Sequence, residues 1–227
     1  TGCMNDSGMG RSHFVAQHNL WDEKQQIAAR EVERRLRDSD IEIVRFSFPD
    51  QHGLLRGKAL TIDAAKQALQ NGVNIVTTLL AKDTAHNTVY PVFTKGGGFG
   101  LDDMTGAGDF VMVADPTTFR ELPWAPGTAW MLCDIYFQDG RPVPFATRAL
   151  MRNALDQLHC VGFDYRAGLE VEFHLFKLLD PKLDAADATQ PAQPPEVAIL
   201  AHGFNYLTEN RFDELEPAVE FLRRAVV

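Results

Sequence analysis

The first part of the chain changes from a helical to a strand-like hydrophobic pattern. Residues 21–38 are rich in strong helix formers and carry a thin apolar stripe, which predicts an amphipathic helix. In residues 41–48, β-branched and aromatic residues alternate with polar ones, which predicts a strand with one buried face. A turn over 49–53 leads into residues 54–60, so a β-hairpin is expected.

A helix and further strands are predicted to complete this domain. Thr61 is a suitable N-cap for a helix over 62–70. Apolar runs at 110–115 and 129–137 predict two strands, whereas residues 73–81 fit either a strand or a buried helical turn. Several strands crossed by one helix within about 100 residues predict a small α+β domain of β-grasp type.

The second part of the chain has fewer but clear patterns. Thr147 is expected to cap a helix over 148–160, and the alternation in residues 168–179 predicts the clearest strand. Residues 180–195 are rich in Pro, Ala and Gln and are typical of an exposed excursion. An amphipathic helix over 213–227 ends on an apolar pair, which suggests a truncated domain.

These patterns predict three parts of the chain. Residues 1–20 are expected to be a flexible arm, and residues 21–139 the first helix with the β-grasp domain. Residues 140–227 are expected to be the start of a second, incomplete domain. The polar turn Asp139-Gly140-Arg141-Pro142 lies at the predicted boundary.

Composition and charge exclude several classes of function. The 227 residues include 22 Lys and Arg against 31 Asp and Glu, for a net charge of -9. Without a basic block, such a chain is a poor candidate for binding nucleic acid or an anionic membrane. Its apolar runs stay far below the roughly 18 residues of a membrane span. Three widely spaced cysteines fit free thiols, so a cytoplasmic enzyme is expected.

Two carboxylates are the leading candidates for chemistry. Glu170 and Glu172 alternate with apolar residues and would share one face of the predicted strand. If this pair lay in a core, it would need a cation to neutralise its charge. Mg or Mn would be a suitable cation, because both favour oxygen ligands. The alternative is an edge strand with a solvated acidic face. His174 is expected to be a hydrogen-bonded, partly buried residue rather than a metal ligand.

Other segments carry weaker signals. Asp50 follows a proline before Gln-His-Gly, which is typical of a turn residue whose carboxylate projects away from its own core. Residues 95–100 lack the order of a phosphate-binding loop and predict a mobile loop. Arg56 and Lys58 are expected on a solvated hairpin face. The core is expected to contain several Phe and Met residues, which lie at positions 93, 99, 104, 110 and 112.

Four segments resemble blocks of one enzyme family. Gly168-x-Glu170-x-Glu172-Phe173 is similar to the G-x-E-x-E-F strand that opens the catalytic domain of glutamine synthetases. RFSFPDQHGLLRGKAL, DFVMVADPTTFRELPW and CDIYFQDGRPVPFATR resemble the family's N-terminal hairpin, its later β-grasp strands and the passage into the second domain. The blocks come in the family's order and cover roughly residues 40–227.

The resemblance implies an ATP-dependent carboxylate–amine ligase. Glutamate would become γ-glutamyl phosphate, and ammonia or an amine would then displace the phosphate. By resemblance, Glu170 and Glu172 match the first two ligands of Mg or Mn. Asp50 matches an aspartate that reaches the site of a neighbouring subunit in a homo-oligomeric ring. The family's remaining site residues lie outside the matched stretch, so the 227-residue chain alone is expected to be inactive.

A second hypothesis comes from a different functional class. The chain would then be a non-catalytic β-grasp binding or assembly module related to glutamine synthetase. The natural open reading frame distinguishes the two hypotheses, because a later Glu-rich strand and an Arg cluster would favour the enzyme.

Overall fold

The computed structural model describes residues 13–180, 184–189, 192–202 and 208–226. They belong to two compact units, which are described separately. The first unit comprises residues up to 83 and residues 88–163, and the second comprises residues 84–87 and 164–227. The first unit therefore runs past 139, the end predicted for the first domain. That predicted domain boundary stays a prediction.

The first unit is built on a six-stranded mixed sheet. Its strands are β1 (Ile43–Pro49), β2 (Leu55–Thr61), β3 (Val73–Val76), β4 (Asp109–Ala114), β5 (Arg120–Glu121) and β6 (Thr128–Tyr136). The order is β2-β1-β6-β4-β3, with the short β5 paired to β6. β1 and β6 are parallel, and the other pairs are antiparallel. The combination of helices with a mixed sheet confirms the coarse fold class.

Four helices accompany this sheet: α1 (Phe14–Gln17), α2 (Glu23–Asp38), α3 (Ile62–Asn71) and α4 (Thr147–Cys160). Asp22 and Gln25 form a capping box at the start of α2, which satisfies two otherwise unpaired backbone N–H groups. α3 ends at Asn71 and is capped by Gly72, whose φ of 70° lies in the left-handed region. A Cβ there would lie 2.3 Å from Cγ1 of Val111, so this helix end requires glycine.

The main core lies where α2 and α3 cover the sheet. Alternate residues of β1 point into it, as the hydrophobic pattern predicted. The rings of Phe48 and Phe110 meet edge-to-face at 5.2 Å. The largest fully buried side chains of this core are Phe46, Phe48, Phe110, Leu69, Met104, Met112, Met131 and Val44.

A smaller cluster forms around the first described helix. Val15 of α1 is buried with Val111 and Val113 of β4. Trp21 fixes the following segment, because its indole Nε1 donates to the Ala114 carbonyl at 2.8 Å. Residues 13–20 therefore pack on the first unit, and the loose arm predicted for 1–20 does not hold for them. Residues 1–12 lie outside the described residues.

In this unit the structure resolves one open alternative and corrects one prediction. The ambiguous segment 73–81 is both structures in succession, because β3 is followed by a 3₁₀ turn over Thr77–Ala81. Thr147 is the first residue of α4 rather than its cap, which is Ala146. The Thr147 hydroxyl instead lies 3.4 Å from the carbonyl oxygens of Pro49 and Asp50.

The described residues of the second unit form a pair of short strands, a 3₁₀ turn over Ala185–Asp187 and a helix. β7 (Phe176–Leu178) pairs with β8 (Val197–Ile199) in an antiparallel arrangement. α5 (Glu209–Val226) begins before the predicted 213 and contains Pro217. Among the helices of the described residues, none combines the length and apolar character that a membrane span requires.

The long strand predicted over 168–179 is wrong except at β7. Residues 164–175 have no regular secondary structure, and Leu169, expected on an apolar face, is 92% exposed. A strand needs a neighbour for its backbone hydrogen bonds. Within the described part of the chain, β8 pairs only with β7, so the alternation alone does not make this segment a strand.

Candidate functional site

Asp50 lies in the turn that joins β1 to β2. Its residue surface is only 1% exposed. Oδ1 accepts hydrogen bonds from the backbone N–H groups of His52 and Leu54 at 2.9 and 3.0 Å. Oδ2 accepts one from Nε of Arg56 at 2.9 Å, which also forms an ion pair. The carboxylate therefore accepts from three donors of its own hairpin, one of which is the Arg56 cation.

This geometry corrects two expectations. The Asp50 carboxylate was expected to project away from its own core, but it is buried against its own turn. Arg56 was expected on a solvated face, yet its side chain is only 20% exposed because it neutralises Asp50. Lys58 is exposed as predicted, and its Nζ donates to the Asn74 carbonyl at 2.7 Å.

The hairpin tip is also held by a neighbouring segment. The Gln51 side chain donates through Nε2 to the Lys82 carbonyl at 2.8 Å. Nε2 of His52 lies 3.1 Å from the same carbonyl oxygen. Together with the Thr147 hydroxyl, these contacts fix the turn from both sides. The tip is thus a rigid element rather than a free loop.

Glu170 and Glu172 lie in the irregular segment of the second unit, and both are exposed. Within the described residues, no group of three or more His, Cys, Asp or Glu is arranged to hold a metal ion. Their role as metal ligands stays a prediction. His174 is exposed, and its ring stacks on that of Phe176 at 6.0 Å, so the prediction of a partly buried histidine is wrong.

An ion-pair cluster at the N-terminal end of α4 was not predicted from the sequence. Arg148 pairs through Nη2 with Asp115, which follows β4, and its Nη1 lies 3.7 Å from Oδ1 of Asp134 in β6. Arg152, one helical turn further, donates to Oδ2 of Asp134 at 3.1 Å. The i,i+4 spacing of the two arginines was the available signal. Their acidic partners, however, come from distant strands.

The electrostatics of this cluster favour charged side chains. Burial raises the pKa of the Asp115 carboxyl, but hydrogen bonds from Thr117 and Arg148 outweigh it, so the pKa lies below its ordinary value. Burial acts to lower the pKa of Arg152, while Asp134 raises it, and the net direction is upward. The cluster fastens α4 to the sheet and offers no unpaired nucleophile or base.

The glycine-rich segment around residues 95–100 is held by backbone hydrogen bonds. Its backbone forms a tight turn over Gly98–Gly100, where all three residues have positive φ, and a 3₁₀ turn over Asp102–Met104. The Gly98 N–H donates to the Pro91 carbonyl at 2.8 Å, and the Gly106 N–H to that of Val92 at 2.6 Å. Met104, Phe110 and Met112 are buried as predicted, whereas Phe93 and Phe99 are exposed, contrary to the expectation that they are core residues.

Comparison with known proteins identifies the relatives of this chain. The γ-glutamylanilide synthase of Acinetobacter sp. is 36% identical over 220 residues, covering 94% of this chain and 44% of that protein. The γ-glutamylethanolamide synthetase GlnA4 of Streptomyces coelicolor is 38% identical over 143 residues, covering 61% and 29%. The glutamine synthetase of Methanosarcina mazei is 28% identical over 151 residues, covering 65% and 30%. No family model matches the chain.

These relatives are ligases of the glutamine synthetase type. The chain belongs to a glutamine synthetase-like family, as the ordered sequence blocks predicted. It spans less than half the length of the relatives described above.

Proposed function

We propose that this chain is the N-terminal part of an ATP-dependent ligase that joins glutamate to an amine. The observation that carries the proposal is the 36% identity to γ-glutamylanilide synthase across 94% of this chain. Because that relative is named for an anilide, an arylamine is the favoured co-substrate. Ammonia and alkylamines are the alternatives. The cytoplasm remains the predicted compartment, supported by the free thiols of Cys133 and Cys160.

The chemistry follows from the γ-glutamyl amide product. The γ-carboxylate of glutamate attacks the terminal phosphorus of ATP, which releases ADP and leaves an acyl phosphate. The amine nitrogen then attacks the acyl carbon, loses a proton and expels phosphate. Bound Mg or Mn would neutralise charge on the transferring phosphoryl group.

Glu170 and Glu172 are proposed to hold that metal. Carboxylate oxygens are suitable ligands for Mg and Mn, and the exposure of both side chains leaves them accessible. Within the described residues they lack a third acidic, His or Cys partner, so they fit only part of a coordination shell. Water or further protein ligands must supply the rest.

Asp50 remains the proposed residue for reaching the site of a neighbouring subunit in a homo-oligomeric ring. Arg56, His52 and Leu54 hold the carboxylate within its own hairpin, so these contacts must be released before it can reach another site. In this conformation Asp50 fixes the hairpin tip, and its proposed role at a neighbouring subunit's site requires this tip to rearrange.

The first unit is proposed to be the family's β-grasp domain. The central parallel pair β1–β6 and the crossing from β2 through α3 to β3 support this assignment.

The test is ATP-dependent phosphate release by the natural gene product. Glutamate with aniline, ethanolamine or ammonia is supplied in the presence of Mg, and the rate with each amine is compared with the rate without amine. We expect amine-dependent release, which Glu172→Gln reduces by about 100-fold or more because a metal ligand is lost. Glu209→Gln, at an exposed position of α5, is the matched control. Phosphate release that is independent of every amine would contradict the proposal.

A further inference from the structure

Three aromatic side chains of the first unit form a continuous surface, here called the aromatic patch: Tyr90, Phe99 and Phe145. The ring centroids of Tyr90 and Phe99 lie 4.8 Å apart, and those of Phe99 and Phe145 lie 5.1 Å apart. The planes are tilted by 50° and 54°. Tyr90 is 51% exposed and Phe99 is 43% exposed, so large parts of two rings face solvent.

The backbone of Phe99 adopts an unfavourable conformation. Its φ of 59° and ψ of 23° lie in the left-handed region, which is unusual for a bulky residue. Gly98 and Gly100, on either side, also have positive φ. Backbone strain of this kind persists only where the surroundings impose it, and it concentrates at ligand sites.

Backbone hydrogen bonds and close packing hold the residues around the aromatic patch. The Gly98 N–H bonds to the Pro91 carbonyl, and the Leu101 N–H bonds to the Gly98 carbonyl at 3.0 Å. A Cβ on Gly98 would lie 2.5 Å from the carbonyl carbon of Met104, so the chain packs closely at this point. Phe145 and Leu101 pack against the main core. The exposed rings therefore belong to a preformed surface and need no ordering when a ligand arrives.

An exposed set of tilted rings fits a flat, neutral aromatic ligand. Aromatic rings attract one another in offset or edge-to-face arrangements at the separations seen within the patch. An arylamine is largely uncharged at neutral pH, so its ring can meet these faces without the desolvation of an ammonium group. A protonated alkylamine could contact the same faces through its alkyl group or by cation–π attraction, but its ammonium group would have to be partly desolvated.

We propose that the aromatic patch is the subsite for the ring of an arylamine co-substrate. This assignment rests on the proposed glutamate–amine ligase function. It adds Tyr90, Phe99 and Phe145 as the residues that select the aromatic amine over ammonia.

The first test measures binding by the 227-residue chain without turnover. Saturation-transfer NMR is recorded with aniline and with cyclohexylamine, which is similar in size but cationic and not aromatic. We expect a clear aniline signal that falls by about five-fold or more in Phe99→Leu and a weak cyclohexylamine signal. Trp124→Leu, which removes another exposed ring, is the control and should keep the aniline signal. Equal aniline signals in the wild type and Phe99→Leu would overturn the assignment.

A second variant covers the case in which leucine does not tolerate the left-handed backbone. Phe99→Gly removes the ring and accepts positive φ. The natural gene product is assayed for kcat/KM with aniline and with ammonia. We expect the aniline-to-ammonia ratio of these values to fall by about ten-fold or more in Phe99→Gly. The same ratio should be unchanged in Trp124→Leu. An unchanged ratio in an active Phe99→Gly enzyme overturns the subsite and leaves the ligase function intact. A wild type that uses no amine contradicts the ligase function, and the binding experiment then decides the patch separately.

Discussion

At the tip of the first hairpin, the Asp50 carboxylate is hydrogen-bonded to donors of its own turn instead of to water. Two backbone N–H groups and Arg56 surround it, and the residue is almost fully buried. Sequence patterns predicted the turn itself from Pro49-Asp50 and the glycine that follows. They gave the wrong direction for the carboxylate, because a turn aspartate can face either its own backbone or the solvent.

Substitution of Asp50 tests this structural role. We expect Asp50→Asn to lower the free energy of unfolding by about 2–4 kcal/mol, because Arg56 loses its partner in a partly buried site. Urea denaturation at pH 7 measures the change. Asp40→Asn, at an exposed position, is the control and should change the free energy by less than about 0.5 kcal/mol. A loss no larger than that of the control would contradict the role of Asp50 in the turn.

Asp115 predicts a pH dependence of stability. Its folded-state pKa is lowered, so its ionised form stabilises the fold above the ordinary carboxyl pKa of about 3.9. That contribution is lost as the pH falls through the lower, folded-state pKa. The stability gap between the wild type and Asp115→Asn should therefore be large at pH 7 and shrink below pH 4.

Denaturant unfolding at several pH values measures this gap. Asp109→Asn serves as the control, since Asp109 is an exposed aspartate at the start of the same strand. A gap for Asp115→Asn that stays constant from pH 7 to pH 3 would show that its pairing with Arg148 and Thr117 does not favour the charged carboxylate.

At the scale of single elements, sequence patterns predicted the helices and strands whose formation depends mainly on neighbouring residues. The helix α2, the strand β1 and the helix α3 each have their periodicity and end signals within their own residues. The strand predicted over 168–179 failed outside β7 because a strand also needs a partner. The cluster of Asp115, Asp134 and α4 arginines escaped prediction for the same reason, as it joins segments far apart in sequence.

The hairpin β1–β2 contains one position that only glycine can fill. A Cβ on Gly57 would lie 1.9 Å from the Phe46 carbonyl oxygen on the neighbouring strand. We expect Gly57→Ala to destabilise the protein by about 1–3 kcal/mol, because the strands must separate. Thermal and urea unfolding measure the loss. Gly108→Ala is the matched control, since its Cβ would lie at an ordinary 3.6 Å from the nearest atom. Equal stabilities of the two variants would contradict the close approach.

At the scale of the whole molecule, the turn at 139–142 differs from a linker. The Phe137 N–H donates to the Arg141 carbonyl at 2.8 Å, and the Val143 N–H to that of Ile135 at 3.1 Å. The chain thus returns to β6 directly after the turn, and Val143 is buried. Polar turn residues mark both tight turns and linkers, so composition alone could not distinguish them.

Limited proteolysis tests this division. The first cleavages should fall within 164–175, where the chain is exposed and irregular, rather than within 139–144, where it is hydrogen-bonded to the sheet. Mass spectrometry of the earliest fragments identifies the sites. Initial cleavage at 139–144, with 164–175 protected, would instead support the boundary predicted from the sequence.

Because the chain belongs to a glutamine synthetase-like family, product analysis tests most directly whether it is part of a glutamate–amine ligase. The natural gene product is incubated with ATP, Mg, glutamate and aniline, and both phosphate and γ-glutamylanilide are quantified by mass spectrometry. We expect one phosphate for each amide formed, because the acyl phosphate is consumed by the amine. ATP hydrolysis without any γ-glutamyl amide from aniline, ethanolamine or ammonia, or no ATP turnover in a correctly folded protein, would contradict the proposal that this chain is part of a glutamate–amine ligase.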